Sequence, residues 1–223
     1  MLSRMTVLSL HPLGEAALCC TLPAPPSFET SLAQQQRIWQ LAAELAKVDG
    51  VQELIPGMNN LTLVFDPLRT EAAALEQAVQ ALWAKPPRRR QLGRVVEIPV
   101  RYGGEAGPDL AEVAAHCGMT ADEVVRRHTA ADYVVYFIGF QPGFAYLGGL
   151  DEALHTPRRS EPRVAVPAGS VGIGGAQTGI YPLATPGGWQ LIGRTALTLF
   201  DPLAEPPTLL APGDRVRFVA ETA

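Results

Sequence analysis

Apolar and polar positions in the first 85 residues switch between two periods. Short apolar runs at Thr6–Ser9 and Ala16–Thr21 read as two strands joined by a turn at His11–Gly14. TSLAQQQRIWQLAAELAKVDG then sets Ile38, Leu41, Leu45 and Val48 at helical spacing, with Thr30 or Ser31 as the cap and Gly50 as the stop. VQELIPGMNNLTLVFDP reads as two strands about a Pro-Gly-Met-Asn-Asn turn. TEAAALEQAVQALWA predicts a second helix with Leu75, Val79 and Leu82 on one face. The order ββαββα predicts a small α/β sandwich of ferredoxin-like type over residues 1–85. Residues 86–93 break the pattern with Pro86, Pro87 and the run Arg88–Arg90, and read as a linker whose arginines are solvated.

From residue 94 to residue 223 the pattern is mostly that of short strands. RVVEIPVRYG, YVVYFIGF, RVAVPAGSVGIGG, GIYPLATP, GWQLIGRT, LTLFDP and DRVRFVA are separated by Gly/Pro turns, which predicts a sandwich or barrel. The whole chain is therefore read as α+β. One helical insert interrupts the strands, DLAEVAAHCGMTADEVVRRHTAADY, with Thr120 and Glu123 as a capping box for its second helix. The insert mimics a helix-turn-helix, since a turn at Gly118–Thr120 precedes a helix with Arg126, Arg127 and His128. Asp122 and Glu123 at the start of that helix, and strands on both sides, argue against a groove reader and for a cover over the barrel.

Composition narrows the function classes. A chain of 223 residues with net charge −4 is long enough for a full core and has no basic excess to favour nucleic acid or an anionic membrane. No run approaches the roughly 20 apolar residues of a membrane span, and the N-terminus carries His11, Pro12 and Glu15 where a signal peptide would be apolar. Three cysteines, two of them adjacent, fit a reducing cytoplasm better than a disulfide framework. The cysteines and the four histidines form no metal-ligand spacing.

Several motifs are decoys. GIGGAQTG, Gly172–Gly179, runs into strand-like IYPL rather than the helix a dinucleotide pyrophosphate needs. No Walker A loop is present, and the sequence around Ser170 is not a nucleophile elbow, so Ser170 reads as a hydrogen-bonding turn residue. The unusual residues instead collect in GFQPGFAYLGGL and its continuation, and in TPGGWQLIGRT. Phe140, Phe144, Tyr146, Tyr181 and Trp189 supply walls, and Arg158, Arg159, Arg163 and Arg194 supply guanidinium forks for a carboxylate. Ser170, Gln141, Gln177 and Thr185 add neutral hydrogen-bonding groups, while His128 and His155 are able to move protons. Apolar walls with a few placed polar groups are what a small-molecule pocket requires. Each residue also has a plainer reading. The rings can be core, Arg158 and Arg163 can pair with Asp151, Glu152 or Glu161, and His128 can simply complement a helix C-terminus.

GFQPGFAYLGGL, TPRRSEPRVAVPAGSVGIGGAQTGIYPLATPGGWQLIGRT and LFDP…LLAPGDRVRF resemble the family of the prokaryotic 5-oxoprolinase B subunit. That family is also labelled KipI type, carboxyltransferase domain, or allophanate hydrolase subunit 1. The resemblance extends to HPLGEAALCC and VQELIPGMNNLTLVFDP. It implies an N-terminal α/β domain followed by a cyclophilin-like β-barrel. It also implies two partners, a KipA-like protein as the C subunit, with a LamB/YcsF-type protein as the A subunit. Such a complex opens 5-oxoproline to glutamate with ATP as co-substrate. Relatives of other kinds inhibit a sporulation histidine kinase or form part of urea carboxylase. The only lysines, Lys47 and Lys85, lie outside a Met-Lys-Met context, so the chain carries no biotin itself, and an amidase Ser-Ser-Lys site cannot be built from the barrel. By this likeness Arg158 and Arg163 hold the substrate carboxylate or a phosphorylated intermediate. Phe140, Phe144, Tyr146, Tyr181 and Trp189 line the substrate, Gln177 and the Gly187–Gly188 backbone orient its carbonyl, and His128 carries a proton.

Overall fold

The structure, a computed structural model, describes residues 7–88 and 92–221, and the chain divides into two compact units, Met1–Gln91 and Leu92–Ala223. Thr6, Arg89 and Arg90, which entered the strand and linker expectations, lie outside the described residues.

In the first unit β1 (Ser9–Pro12), β2 (Ala17–Thr21), β3 (Val51–Gly57) and β4 (Asn60–Phe65) form an antiparallel sheet in the order β1-β2-β4-β3. Strand β1 starts three residues later than the apolar pattern predicts, so His11 and Pro12 are paired rather than turned. Pro12 and Pro56 are tolerated because β1 and β3 are the two edges, where a missing N–H breaks no ladder. Alternate residues of β4, Leu61, Leu63 and Phe65, are buried against α1 (Phe28–Leu45) and α2 (Ala72–Trp83) through Ile38, Leu41, Leu45, Leu75, Val79 and Trp83. Trp83 takes the buried place expected for Leu82, which is only partly covered. Helix α1 begins earlier than expected, since the Ser27 hydroxyl accepts from the Thr30 N–H at 3.3 Å.

The second unit is a closed barrel of seven strands in the order β10-β7-β6-β13-β5-β12-β9. These are β5 (Val95–Tyr102), β6 (Tyr133–Ile138), β7 (Ala145–Gly148), β9 (Ser170–Gly174), β10 (Gln177–Ile180), β12 (Gln190–Arg194) and β13 (Arg215–Ala220). Strands β8 (Arg163–Val166) and β11 (Thr185–Gly187) form a separate two-stranded ribbon. The stretch LTLFDP is not a strand: only Phe200 bridges to Thr208, while Leu199 turns into the core. Helices α3 (Leu110–His116) and α4 (Ala121–Ala130) bury Val113, Ala114 and Val124 against Ile98, Val100, Ile192 and Phe218 of the barrel. The capping box is half realised: Thr120 accepts from the Glu123 N–H, whereas the Glu123 carboxylate turns to Arg126 and Arg127.

His128 at the end of α4 is fully buried and belongs to the barrel's internal polar chain. Thr178 donates to the Gly172 carbonyl at 2.9 Å, so its oxygen accepts from the His128 Nε2–H at 3.0 Å. Nδ1 is then the acceptor, and the Tyr102 hydroxyl donates to it at 2.8 Å. The Tyr133 hydroxyl donates to the His128 carbonyl, and the Phe218 ring lies 4.5 Å from the imidazole. Burial holds the imidazole neutral and pushes its pKa from 6.5 down to about 3. Both ring nitrogens are used and solvent is excluded, so the expected proton-carrier role gives way to a structural one.

In the unfolded chain His128 protonates below pH 6.5, a proton the folded state refuses until about pH 3. Stability contributed by the neutral ring is whole above pH 6.5 and is lost as pH falls through that window. Between pH 7 and pH 5 the loss is about 2 kcal/mol. Thermal denaturation at the two pH values is expected to show this drop, reduced in His128→Gln. A His128 imidazole resonance, assigned by its loss in His128→Gln, that titrated between pH 5 and 8 in the native chain would contradict it.

Candidate functional site

The glycines of β9 and β10 explain the nucleotide-like run GIGGAQTG. A side chain at Gly174 would stand 2.5 Å from the Trp189 indole nitrogen, and one at Gly179 would meet both Phe144 and Trp189 at 3.2 Å. Gly187 similarly leaves room for the Tyr181 hydroxyl, 2.7 Å from where its Cβ would be. The strands thus present bare backbone that large rings approach closely, at the cost of the conformational entropy that glycine carries.

On this floor the five predicted aromatics come together. Phe144 packs edge-on against Tyr146, Tyr181 and Trp189 at ring separations of 4.9, 5.3 and 5.6 Å. Phe140 meets Phe144 at 5.4 Å, and Phe137 stacks on Tyr146 at 4.4 Å. Phe144, Tyr181 and Trp189 are buried together with Val166 and Leu191, while Tyr146 is half-buried. Phe140 differs from the rest: it is 60% exposed and has a φ of 67°, a left-handed backbone that a bulky residue rarely adopts. Hydrogen bonds between Gly139 and Phe144, and from the Gln141 amide to the Leu183 carbonyl, hold this loop in shape. Burial raises the Tyr146 and Tyr181 hydroxyl pKa values, with Arg158 acting in the opposite sense on both.

The arginines divide by partner. Asp109, which precedes α3, is buried with its side chain 4% exposed. One carboxylate oxygen accepts from Arg163 at 2.6 Å and from Arg159 at 3.2 Å, and the other accepts from the Leu191 N–H at 2.6 Å. Arg163 is therefore turned inward to a carboxylate distant in sequence, not to Asp151, Glu152 or Glu161; Asp151 pairs with Arg127 instead. Arg158 has no carboxylate partner among the described residues; its guanidinium stands 5.9 Å from the Trp189 ring. Asp109 escapes sequence reasoning because an aspartate before a helix reads as an N-cap, yet its side chain makes no cap bond.

The remaining predicted residues scatter. Ser170 is buried in β9, opposite Arg194. Gln177 opens β10 across from Gly174, at the end of the glycine floor. Gly187 pairs with Arg163, and the Gly188 carbonyl already accepts from the Arg159 N–H at 2.7 Å. His128 lies within the barrel as described. No group of three His, Cys, Asp or Glu able to hold a metal occurs among the described residues, and none of their helices is long and apolar enough to cross a membrane.

Two stability outcomes follow from this arrangement. Asp109→Ala leaves two guanidinium groups and the Leu191 N–H without their acceptor, and chemical denaturation is expected to show a loss of about 3 kcal/mol. Asp109→Asn, which keeps an acceptor for Leu191, should fall between that variant and the native chain. Gly174→Val must displace the Trp189 indole, moving its N–H resonance and lowering the thermal midpoint, whereas Gly188→Ala, whose nearest new neighbour is 3.6 Å away, should do neither.

Comparison with known proteins places this geometry in a family. Residues 8–210 match the model for the carboxyltransferase domain, subdomain C and D. The chain is 54% identical over 209 residues to the B subunit of 5-oxoprolinase from Escherichia coli O157:H7, covering 94% of both proteins. It is 49% identical to the Haemophilus influenzae protein of the same name, over 96% of this chain and 98% of that one. Among solved structures it resembles TTHA0988 at 39% identity with a TM-score of 0.77, covering 93% of this chain and 40% of that longer one. A match of this length, spanning the glycine floor, the aromatic cluster and the arginine loop, identifies the chain as a member of the 5-oxoprolinase B-subunit family, built on the carboxyltransferase domain.

Proposed function

We propose that the chain is the B subunit of an ATP-dependent 5-oxoprolinase complex that opens 5-oxo-L-proline to L-glutamate. The observation that carries this reading is the near full-length identity of 54% to a protein of that name. Apolar and amphipathic side chains beside Arg158, which has no carboxylate partner among the described residues, suit a small ring bearing a carboxylate. Phe140, Phe144, Tyr146, Tyr181 and Trp189 act as its walls. Gln177 and Gly187 stay near the platform as secondary hydrogen-bonding groups, while Arg163 supports the loop through Asp109.

ATP enters as co-substrate of the complex. GIGGAQTG, the nearest approach to a phosphate loop, is a β-hairpin without the following helix, so we assign the nucleotide to a partner protein. The partners are a KipA-like protein and a LamB/YcsF-type protein. In support, TTHA0988 carries the matching fold as 40% of one longer chain, which joins it covalently to further polypeptide. We read the first unit as a ferredoxin-like sheet whose edge strand comes from the N-terminal side, and the barrel as cyclophilin-like. Three free cysteines fit a cytoplasmic setting.

The test is reconstitution. Mixing this chain with the KipA-like and LamB/YcsF-type partners, ATP and 5-oxoproline should yield glutamate, and omitting this chain should abolish it. Equal glutamate production without the chain would overturn the proposal.

A further inference from the structure

A groove of about 510 Å³ opens where β5 and β12 of the barrel end, lined in part by Arg101, Arg194, Pro182, Leu183, Leu197 and Phe200. Arg101 and Arg194 stand directly opposite each other on the paired strands. Residues so placed hold their Cβ atoms about 5 Å apart on one face of a sheet, where like charges repel. The chain itself relieves that repulsion poorly. Arg101 meets Glu221 at 3.6 Å, but both side chains are exposed, and a pair of that kind contributes little. Arg194 donates from Nε to the Ala168 carbonyl at 2.9 Å, which fixes its fork at the groove without neutralising it. Arg194 has no carboxylate partner among the described residues, and none of the residues given to the groove is acidic.

Around this basic centre the surface is apolar. Leu183 and Leu197 are 40% and 37% exposed, and Phe140 is exposed on the neighbouring loop. That loop is continuous with the groove. The Gln141 amide donates to the Leu183 carbonyl, and Gly143 packs so closely that a Cβ there would come within 2.8 Å of the Phe200 Cβ. Exposed apolar side chains grouped with arginine and an aromatic ring mark protein-binding surfaces. An inorganic ion would answer the two arginines alone and leave Leu183, Leu197 and Phe140 in water. We infer that this face docks a polypeptide segment of a partner protein, with an acidic side chain between Arg101 and Arg194 and an apolar neighbour covering Leu183 and Leu197. The carboxylate offsets the repulsion between the guanidinium groups, and the neighbour removes apolar surface from water. That the partner is one of the two other proteins of the complex rests on the 5-oxoprolinase reading; the chemistry of the segment does not. Phe140 also meets Phe144 at 5.4 Å and Tyr181 at 6.4 Å, so the docking face borders the aromatic platform.

The experiment is calorimetric titration of the full chain with the purified KipA-like and LamB/YcsF-type proteins, separately and together. The native chain should bind at least one of them saturably. Arg194→Glu and Leu197→Asp, both at exposed positions and checked for folding by their thermal midpoints, should each weaken that binding at least about tenfold, a factor equal to roughly 1.4 kcal/mol. Leu68→Asp, on an exposed apolar residue of the first unit, should leave it unchanged. Raising salt from about 0.1 M to about 0.5 M should weaken the native chain more than Arg194→Gln, which has lost one of the screened charges. Unchanged affinity in both Arg194→Glu and Leu197→Asp, or no saturable association with either partner, would overturn the docking assignment. Two further titrations identify the other occupants. Inorganic phosphate binding that Arg194→Glu abolishes, with partner affinity intact, gives the groove to a small anion. Self-association of the chain that Leu197→Asp abolishes, again with partner affinity intact, gives it to a second copy, and either result overturns the assignment. Glutamate production by the native complex is scored separately. Turnover with insensitive variants sinks this surface and leaves the 5-oxoprolinase reading standing, while variant-sensitive association without turnover does the reverse.

Discussion

Asp109 holds a nearly fully buried carboxylate that is bonded on three sides, to Arg159, to Arg163 and to the Leu191 N–H, while its own N–H donates to the Leu191 carbonyl at 2.9 Å. A lone carboxylate in such a place would be strongly disfavoured, so the charge persists only because two guanidinium groups and an amide surround it. The bonds tie three segments that are far apart in sequence: the start of α3, the arginine loop leading into β8, and β12. Trp189 and Gln190 sit at the entry to β12, on opposite sides of its backbone, and both inherit their positions from this anchor. The same bonds consume Arg159 and Arg163 and leave Arg158 as the charge that faces outward.

The aromatic platform depends on a second constraint, the absence of side chains beneath it. Gly174, Gly179 and Gly187 each weaken a strand by removing packing surface, yet a Cβ at Gly174 or Gly187 would strike Trp189 or Tyr181, and one at Gly179 would press on Phe144 and Trp189. The rings recover the loss by packing close to the bare backbone and edge-on against one another. Phe140 remains outside that arrangement. Its exposed ring on a left-handed backbone is the kind of local cost that persists where the surrounding loop over-determines it and that collects at functional sites.

Much of this architecture was legible in the chain. Helical spacing located α1 and α2, the short Gly/Pro-punctuated runs announced the barrel strands, and the recurrence of rings among backbone breakers marked the cluster from Phe140 to Trp189. Misses came where tertiary packing overruled a local signal. The first strand slid by three residues because an edge accommodates Pro12, LTLFDP stayed a loop because Leu199 was drawn inward, and Asp109, which no local pattern singled out, serves as an anchor. His128 carried the type and position of a proton carrier, yet the barrel closed around it and filled both nitrogens.

Periodicity, turn chemistry and residue type are local properties, and from them come the order of elements, the strand-rich second half and the set of residues unusual enough to form a site. Which of those residues face a ligand depends on partners 50 or more positions away, as in the pairing of Asp109 with Arg163 and of His128 with Thr178. Closure of the barrel and packing of α3 and α4 decide that, because burial converts a hydrogen-bonding side chain from a free reagent into a structural tie. Arg158 and Gln190 show the other outcome, one left charged at the surface and one left buried with an oxygen to satisfy.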